Sequence, residues 1–349
     1  MAELSTPALV VDIDVFEANV AAMAALLAGT GKTIRPHVKT HRTPELARRQ
    51  LGGPAIGVTC ATVGEAEAMV EAGIDDVLLA NEVVDPLKIV RLAALARRAR
   101  IGVAVDDPVP VALLAREAAR ASVVLDVLID VDVLIHRCGV TSVGDALRLA
   151  TAVEDAPALR LRGIMGYEGR IRLTDQDRAG KIARAYATLA EMYGALTAAG
   201  HEIGIVSAAG TSTLPQALAD PTITELQPGV YSLMEPELLN LGLPFRCAAT
   251  IRGTVISRHP GRIVLDLGRR VVGMEYGPPV PMGFVATRIA ISDEHATIEL
   301  ADPVPALGSQ VDLVPGQIRT TFNLHDHVWI SRDGRIVDRW PITARGSSQ

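Results

Sequence analysis

The chain has 349 residues, of which 49% are hydrophobic and 21% charged, an ordinary globular composition that excludes a disordered or fibrous protein. Its 40 acidic residues outnumber 34 scattered basic ones, so nucleic acid is not an expected partner. No apolar run approaches the roughly 18 residues of a membrane span, and the N-terminus lacks a leader-like apolar segment, so we expect a cytoplasmic protein without membrane contact. Three distant cysteines without CxxC spacing predict neither a disulfide framework nor a zinc site.

An opening strand and a repeated βα pattern make up the first two thirds of the chain. The run Ala8–Asp12 predicts a strand and Val15–Leu27 a helix. From about residue 33 to 230, short β-branched runs alternate with longer stretches of helical period. The eight predicted strands of this part are Thr33–Lys39, Gly57–Thr62, Asp76–Asn81, Arg100–Val105, Leu125–Val131, Leu161–Tyr167, Ile203–Gly210 and Ile223–Gly229. Eight parallel strands can close a (β/α)8 TIM-type barrel, and the first βα turn lacks the GxGxxG motif of an open dinucleotide-binding sheet.

After about Glu235 the helical period disappears and short alternating segments take over. These predicted strands are Ala249–Ser257, Arg262–Asp266, Phe284–Ser292, Ala296–Leu300, Gln310–Val314 and His327–Ser331. They predict a C-terminal β domain to which the opening strand is added. We therefore predict a barrel domain at residues 14–235 and a β-strand domain made of residues 1–13 plus 236–349.

Lys39 stands at the end of the first predicted barrel strand, where the working groups of such barrels lie. A lysine at the end of an apolar strand is unusual, because a buried ammonium is costly unless its pKa falls or it becomes an imine. A Schiff base to an aldehyde cofactor would remove that cost. The alternative is a lysine that reaches solvent or pairs with a nearby acid.

Two glycine-containing turns follow the last two predicted strands. Gly210 and Thr211 follow the seventh strand, while Gly229 and Tyr231 follow the eighth. Backbone N–H groups and hydroxyls in these two loops commonly bind phosphate in barrels, so a phosphate site is one interpretation. An ordinary turn is the other.

Arg137 and Tyr167 follow the fifth and sixth predicted strands. The guanidinium of Arg137 can donate to a phenolate or carboxylate oxygen, and Tyr167 can hydrogen-bond a ring nitrogen or stack on a ring. Each could equally belong to a structural pair. An imine lysine, a phosphate site and two ring-contacting groups at one end of a barrel are together far less expected by chance than any one of them.

These residues resemble the D-threonine aldolase and D-serine dehydratase-like family of fold-type III (alanine racemase-like) pyridoxal-phosphate enzymes. The matching segments are Thr6–Val10, Arg35–His41, Gly64–Glu67, Asn81–Val84, Arg137–Gly139 and Gln227–Gly229. The resemblance implies pyridoxal 5'-phosphate bound as a Schiff base to Lys39. It also implies Arg137 near the cofactor's 3-oxygen and Tyr167 near its pyridine nitrogen. Gly210, Thr211, Gly229 and Tyr231 would surround the phosphate.

The C-terminal part departs from the family. In that family, a His-x-Cys or His-x-Asp pair binds a divalent metal that contacts the substrate's β-hydroxyl. In this chain, Gln317 and Arg319 stand at the matching positions. A guanidinium cannot coordinate a cation, so we expect no metal at this place, and Gln317 and Arg319 become candidate substrate-binding residues. The nearby run His325, Asp326 and His327 is an alternative metal site. If that run were a strand, however, its carboxylate would point away from the two imidazoles.

If no metal polarises the β-hydroxyl of the substrate, the reaction that needs least activation at Cβ is removal and return of the α-proton. The sequence therefore favours an amino acid racemase or epimerase, with His136 and His325 as candidate proton donors opposite Lys39. Either histidine could equally be an ordinary loop residue. The alternatives are a D-threonine aldolase-like or D-serine dehydratase-like lyase, and a non-catalytic carrier of the cofactor.

The resemblance also implies a homodimer that acts on a small amino-acid substrate. The apolar, turn-rich segment Met274–Phe284 agrees with this expectation, because a small β domain has no obvious place to bury it.

Overall fold

The computed structural model describes residues 4–169, 171–301 and 303–349, which fall into two compact units. The barrel unit consists of Leu26–Lys39, Gln50–Gly229 and Ser347–Gln349. The β unit consists of the chain up to Ala25, Thr40–Arg49 and Val230–Gly346. The division into domains 14–235 and 1–13 plus 236–349 stays a prediction, and residues 1–3, 170 and 302 lie outside the described residues.

The predicted barrel is confirmed. After strand β1 (Ala8–Asp12) and helix α1 (Ile13–Leu27), the chain forms eight parallel strands in the order β2-β9-β8-β7-β6-β5-β4-β3. They are β2 (Thr33–Ile34), β3 (Val58–Cys60), β4 (Asp76–Glu82), β5 (Arg100–Val105), β6 (Leu125–Asp130), β7 (Leu159–Met165), β8 (Ile205–Ala208) and β9 (Glu225–Leu226). Parallel bridges from Ile34 to Ala55 and from His37 to Thr59 join the first strand to the second, so the sheet closes on itself.

Helices follow the barrel strands, and polar caps with prolines define where several of them begin. The helices of this part are α2 (Pro44–Gln50), α3 (Val63–Glu71), α4 (Pro86–Leu95), α5 (Pro108–Ala121), α6 (Val143–Glu154), α7 (Arg178–Ala198) and α8 (Leu214–Ala219). Asp85 and Asp107 cap α4 and α5 by accepting from backbone N–H groups of the first turn, and each is followed directly by proline. Proline suits this position because its missing N–H would have no partner inside the helix.

The β unit contains the remaining strands, and the prediction that the opening strand joins them is confirmed. Its elements are β10 (Ala249–His259), β11 (Arg262–Leu265), β12 (Val280–Pro281), β13 (Ala286–Ile291), β14 (Ala296–Leu300), β15 (Gln310–Val314), α9 (Ile318–Asn323), β16 (His327–Arg332) and β17 (Arg335–Pro341). Strand β1 pairs antiparallel with β10 and parallel with β16. Alternate residues of β10 and β14 are buried, as expected for a sheet with one face on a core. That core includes Leu9, Phe16, Ile251 and Phe322.

Lys39 lies beyond the strand on which it was predicted. Strand β2 ends at Ile34, and Val38–Thr40 forms a 3-10 turn. The predicted strand Thr33–Lys39 was therefore too long. Pro36 contributes to the difference, because proline has no N–H to donate to a neighbouring strand.

Charged side chains fill the N-terminal end of the barrel. Arg35 donates from Nε to Glu225 at 2.8 Å and from Nη1 to Asp76 at 2.6 Å. These three side chains are 7%, 1% and 16% exposed, respectively. The guanidinium of Arg35 is thus paired with two carboxylates, which is typical of a stabilising role at this end of a barrel. Catalytic residues of such barrels lie at the opposite, C-terminal end. Among the described residues, no helix is long and apolar enough to cross a membrane.

Candidate active site

Tyr167 is the point at which several predicted site residues meet. The Nζ atom of Lys39 lies 5.2 Å from the centroid of the Tyr167 ring, and the guanidinium carbon of Arg137 lies 5.9 Å from it. A Cβ placed on Gly210 would lie 3.5 Å from Cε2 of the same ring. Three loops at the C-terminal end of the barrel therefore bring an amine, a guanidinium and a glycine turn around one phenol.

Gly169, which sequence reasoning missed, makes the position of this ring possible. A Cβ on Gly169 would lie 1.8 Å from Cζ and 1.9 Å from Oη of Tyr167, which no side chain could tolerate. Only glycine at residue 169 allows the phenol to occupy this space. The signal in the sequence was the glycine two residues after the tyrosine at the end of a strand.

Glu168 ties the loop after β7 to the turn after β8, and it too was missed. Its side chain is fully buried and accepts from Tyr186 Oη at 3.1 Å, from the Ala209 N–H at 3.4 Å and from the Thr213 hydroxyl. Burial raises the pKa of Glu168, and these hydrogen bonds oppose the shift. The Thr213 hydroxyl also accepts from the Gly210 N–H at 3.1 Å. Glu168 therefore fixes the conformation of the turn that presents Gly210.

The predicted phosphate residues divide between the two units. Thr211 begins a 3-10 turn at Thr211–Thr213 in the barrel unit and is 5% exposed. Gly229 is the buried last residue of that segment of the barrel unit. Tyr231 belongs to the β unit, where its ring centroid lies 5.6 Å from that of Phe245. In the barrel unit, an amine beside an aromatic ring and a guanidinium, with a glycine and hydroxyl turn nearby, suits an aldehyde cofactor that carries a phosphate.

A group of acids lies beside Arg137. Burial and the neighbouring carboxylate of Glu82, which also hydrogen-bonds to it, raise the pKa of Asp130 to about 8, while Arg137 opposes the shift. The carboxyl group of Asp130 therefore keeps its proton to a higher pH than that of an isolated aspartate. The ligand atoms of Glu82, Asp106 and Cys138 all lie within 4.8 Å of one another, so these three could hold a cation. Sequence analysis did not find this group, because its members come from three different strand ends.

His136, a predicted proton donor, lies on an exposed loop. Its side chain is 80% exposed, and its Nδ1 lies 3.1 Å from Oδ2 of Asp132. The backbone N–H of His136 donates to the other oxygen of the same carboxylate at 2.9 Å. Asp132 thus fixes both the backbone and the ring of this histidine.

Gln317 and Arg319 lie in the β unit, where neither presents a metal ligand. The Oε1 atom of Gln317 accepts from the Thr320 N–H at 3.3 Å and from the Thr320 hydroxyl, which caps α9. Nη2 of Arg319 lies 3.9 Å from Oε2 of Glu235, and its guanidinium carbon lies 5.4 Å from the centroid of the Tyr276 ring. The Gln317 Oε1 atom already accepts two hydrogen bonds, and Arg319 is permanently charged. These two residues therefore do not fit the divalent metal that the resemblance implies.

His325 is held by the backbone of the β unit. Its Nε2 donates to the carbonyl oxygen of Val271 at 2.8 Å, and burial lowers the pKa of the ring. Strand β16 begins at His327, as predicted, so His325 and Asp326 precede it and the alternation of a strand does not apply to all three residues. Asp326 pairs with Arg345 at 2.9 Å. Within the described part of the chain, these three residues do not form a group of metal ligands.

Comparison with known proteins agrees with the resemblance across the whole chain. The family model for the alanine racemase N-terminal domain matches residues 11–235, and a serine dehydratase domain model matches residues 248–331. A D-threonine aldolase from Arthrobacter sp is 37% identical over 363 residues, covering 100% of this chain and 95% of that protein. A 3-hydroxy-D-aspartate aldolase from Paracoccus denitrificans (strain Pd 1222) is 34% identical, covering 99% of this chain and 93% of that protein.

A solved structure supports the same assignment. The crystal structure of D-threonine aldolase from Filomicrobium marinum superposes with a TM-score of 0.95 at 36% identity, covering 99% of this chain and 97% of that one. The barrel, the β unit and the sequence motifs therefore all indicate the same family. The chain belongs to the alanine racemase-like, fold-type III family of pyridoxal-phosphate enzymes, in the branch of the D-threonine aldolases and D-serine dehydratase-like proteins.

Proposed function

We propose that this protein is a pyridoxal-phosphate-dependent lyase that cleaves the Cα–Cβ bond of a β-hydroxy-D-amino acid. The observation that carries the proposal is similarity over the full length of the chain to proteins named D-threonine aldolase and 3-hydroxy-D-aspartate aldolase. The amine, phenol and guanidinium that meet at Tyr167 supply the groups such an enzyme needs. Bound pyridoxal phosphate would supply an electron sink for negative charge that develops at Cα.

Lys39 is the residue we assign to covalent attachment of the cofactor. The chain has four lysines, and the other three are Lys32, Lys88 and Lys181. Lys32 donates to the carbonyl oxygens of Asp220 and Ile223 at 2.6 and 2.5 Å, and Lys181 pairs with Asp175 at 3.0 Å. Lys88 lies within helix α4. Of the four lysines, Lys39 is the one that lies in a βα loop beside Tyr167, with its Nζ 5.2 Å from the centroid of that ring.

The remaining residues would orient the cofactor and move protons. We assign Arg137 to the ring oxygen, Tyr167 to the ring, and Gly210, Thr211, Gly229 and Tyr231 to the phosphate. When the Cα–Cβ bond breaks, Cα must gain a proton, and Nζ of Lys39 is the atom we assign to that transfer.

Racemisation, which the sequence favoured, has less support than cleavage. Relatives that are 34–37% identical over at least 99% of this chain are named aldolases, whereas the alanine racemases among the similar structures are only 12–17% identical. The two candidate proton donors give racemisation little support. His136 lies on an exposed loop with its ring beside Asp132, and the ring of His325 donates to the carbonyl oxygen of Val271. A non-catalytic carrier is disfavoured because the chain includes a β unit that matches the serine dehydratase domain.

The test is product analysis with purified holoenzyme and D-threonine or 3-hydroxy-D-aspartate as substrate. We expect glycine together with acetaldehyde from the first or glyoxylate from the second, in equal amounts. Ammonia with a keto acid would indicate a dehydratase instead. In deuterium oxide, loss of optical purity with α-deuteration and no aldehyde would contradict the proposal and restore the racemase.

Replacement of Gly169 tests whether the position of Tyr167 matters for the cofactor. In Gly169→Ala the new methyl group must displace the Tyr167 ring, so we expect affinity for pyridoxal phosphate to fall about 10- to 100-fold, the equivalent of 1–3 kcal/mol of strain. Equilibrium dialysis or absorbance titration of the apoprotein measures this affinity.

The matched control is Gly194→Ala on helix α7, where a Cβ meets no atom within 4 Å. This change should leave cofactor affinity unaltered and stabilise the fold by about 1 kcal/mol, because alanine favours helix over glycine. Equal cofactor affinity in the two variants would show that the Tyr167 ring has no role in binding it.

We also propose a homodimer. Tyr276, Val280 and Met282 are 44%, 45% and 52% exposed, which leaves apolar surface on the segment Met274–Phe284 of the β unit. Sedimentation equilibrium should give twice the 36.9-kDa mass of the chain. Met282→Lys should weaken the dimer, whereas Val337→Lys, at a 58% exposed residue of β17, should not. A fully active monomer would contradict the assignment.

A further inference from the structure

A buried acid lies behind the turn that we assign to the cofactor's phosphate. Glu168 is fully buried in the barrel unit, and it accepts from the Ala209 N–H at 3.4 Å and from the Thr213 hydroxyl, two residues that flank the turn. Hydrogen bonds donated to this carboxylate favour its ionised form, although burial raises its pKa. A phosphate group bound at Gly210 and Thr211 would add a second anion beside it. The turn therefore needs a nearby cation if it is to bind a phosphate dianion.

Arg178 is a cation that contacts this turn. It is the first residue of helix α7, and its Nη2 donates to the carbonyl oxygen of Ser212 at 2.6 Å. Ser212 is the middle residue of the 3-10 turn Thr211–Thr213 and directly follows the threonine that we assign to the phosphate. Both partners of this hydrogen bond belong to the barrel unit. The start of α7 therefore places a guanidinium against the phosphate turn.

The acids near Arg178 in sequence do not neutralise its charge. Asp175 pairs with Lys181 at 3.0 Å, and Asp177 pairs with Arg184 at 3.2 Å. In the described part of the chain, Arg178 pairs with no carboxylate, and its Nε is buried without a hydrogen-bond partner. An unsatisfied donor on a buried charged group is unfavourable. An anion bound beside the turn would offset this cost.

We propose that Arg178 is the cation of the cofactor site, where it holds the turn through Ser212 and stabilises the phosphate dianion of pyridoxal phosphate bound at Gly210 and Thr211. The inference rests on the proposed function and adds a cofactor-binding residue to it. A phosphate monoester carries a charge of about −1.5 to −2 near pH 7. Backbone N–H groups and hydroxyls donate hydrogen bonds but leave that charge uncompensated, whereas a guanidinium supplies both a charge and several donors.

The test compares pyridoxal phosphate with pyridoxal, which has the same ring and aldehyde but no phosphate. Apoprotein of the wild type and of Arg178→Gln would be titrated with each compound, and binding would be followed by absorbance. We expect Arg178→Gln to lower the affinity for pyridoxal phosphate about 10- to 100-fold, the range of a charge-assisted hydrogen bond, and to leave the affinity for pyridoxal unchanged. Arg178→Lys should recover part of the loss because it keeps the positive charge.

The matched control is Arg184→Gln on the same helix, at a side chain that is 59% exposed and pairs with Asp177. This variant should bind both compounds as the wild type does. Thermal melting of each apoprotein checks that the variants fold, and if Arg178→Gln does not, Arg178→Lys should still show a smaller loss that is confined to pyridoxal phosphate. Equal losses for the two compounds, or no loss for pyridoxal phosphate, would overturn the inference.

A spectroscopic measurement separates the charge of Arg178 from its support of the turn. The ³¹P resonance of the holoenzyme, followed against pH, reports the ionisation of the bound phosphate, whose second pKa is about 6 in a free monoester. Because a neighbouring cation favours the dianion, the dianion should persist to lower pH in the wild type than in Arg178→Gln. Identical titrations would contradict the proposal. Normal cofactor binding without cleavage of either substrate would instead overturn the lyase assignment and leave this inference intact.

Discussion

The candidate site depends on where the phenol of Tyr167 lies. Lys39, Arg137 and Gly210 come from different βα loops, yet each is positioned against this one ring. The ring can lie there because residue 169 has no side chain, and the neighbouring turn keeps its shape because Glu168 accepts three hydrogen bonds in the interior. The absence of a side chain at Gly169 and the hydrogen bonds accepted by Glu168 thus position the groups that we assign to cofactor binding.

Much of the architecture could be predicted because barrel formation follows from a repeating local pattern. Alternation of short apolar runs with helical stretches predicts the eight strands, and the rule that parallel strands present chemistry at their C-terminal ends selects Lys39, Arg137 and Tyr167. Strand ends were less accurate. The first strand was predicted to extend to Lys39. In the structure the strand ends at Ile34, before Pro36, and Lys39 lies in the turn Val38–Thr40.

The residues that sequence reasoning missed act through tertiary contacts. Glu168, Gly169 and Asp130 each look unremarkable in sequence, since their roles arise from neighbours on other strands. Strand β17 is a different case, because Asp333 and Gly334, both at positive φ, form a hairpin signal that was available. Helix α9 was missed because its short run, rich in threonine, has no clear helical period.

The departure from the family that the sequence reveals lies in the β unit, where Gln317 and Arg319 stand in place of the metal-ligating pair. Six of the residues that we assign to the cofactor, Lys39, Arg137, Tyr167, Gly210, Thr211 and Gly229, belong to the barrel unit, and the seventh, Tyr231, belongs to the β unit.

The most direct test of the account is to locate the cofactor on the chain. Holoenzyme would be reduced with borohydride and digested, and the pyridoxyl-bearing peptide would be sequenced by mass spectrometry. The account predicts a single adduct on Lys39. An adduct on Lys32, Lys88 or Lys181, or no adduct at all, would contradict it.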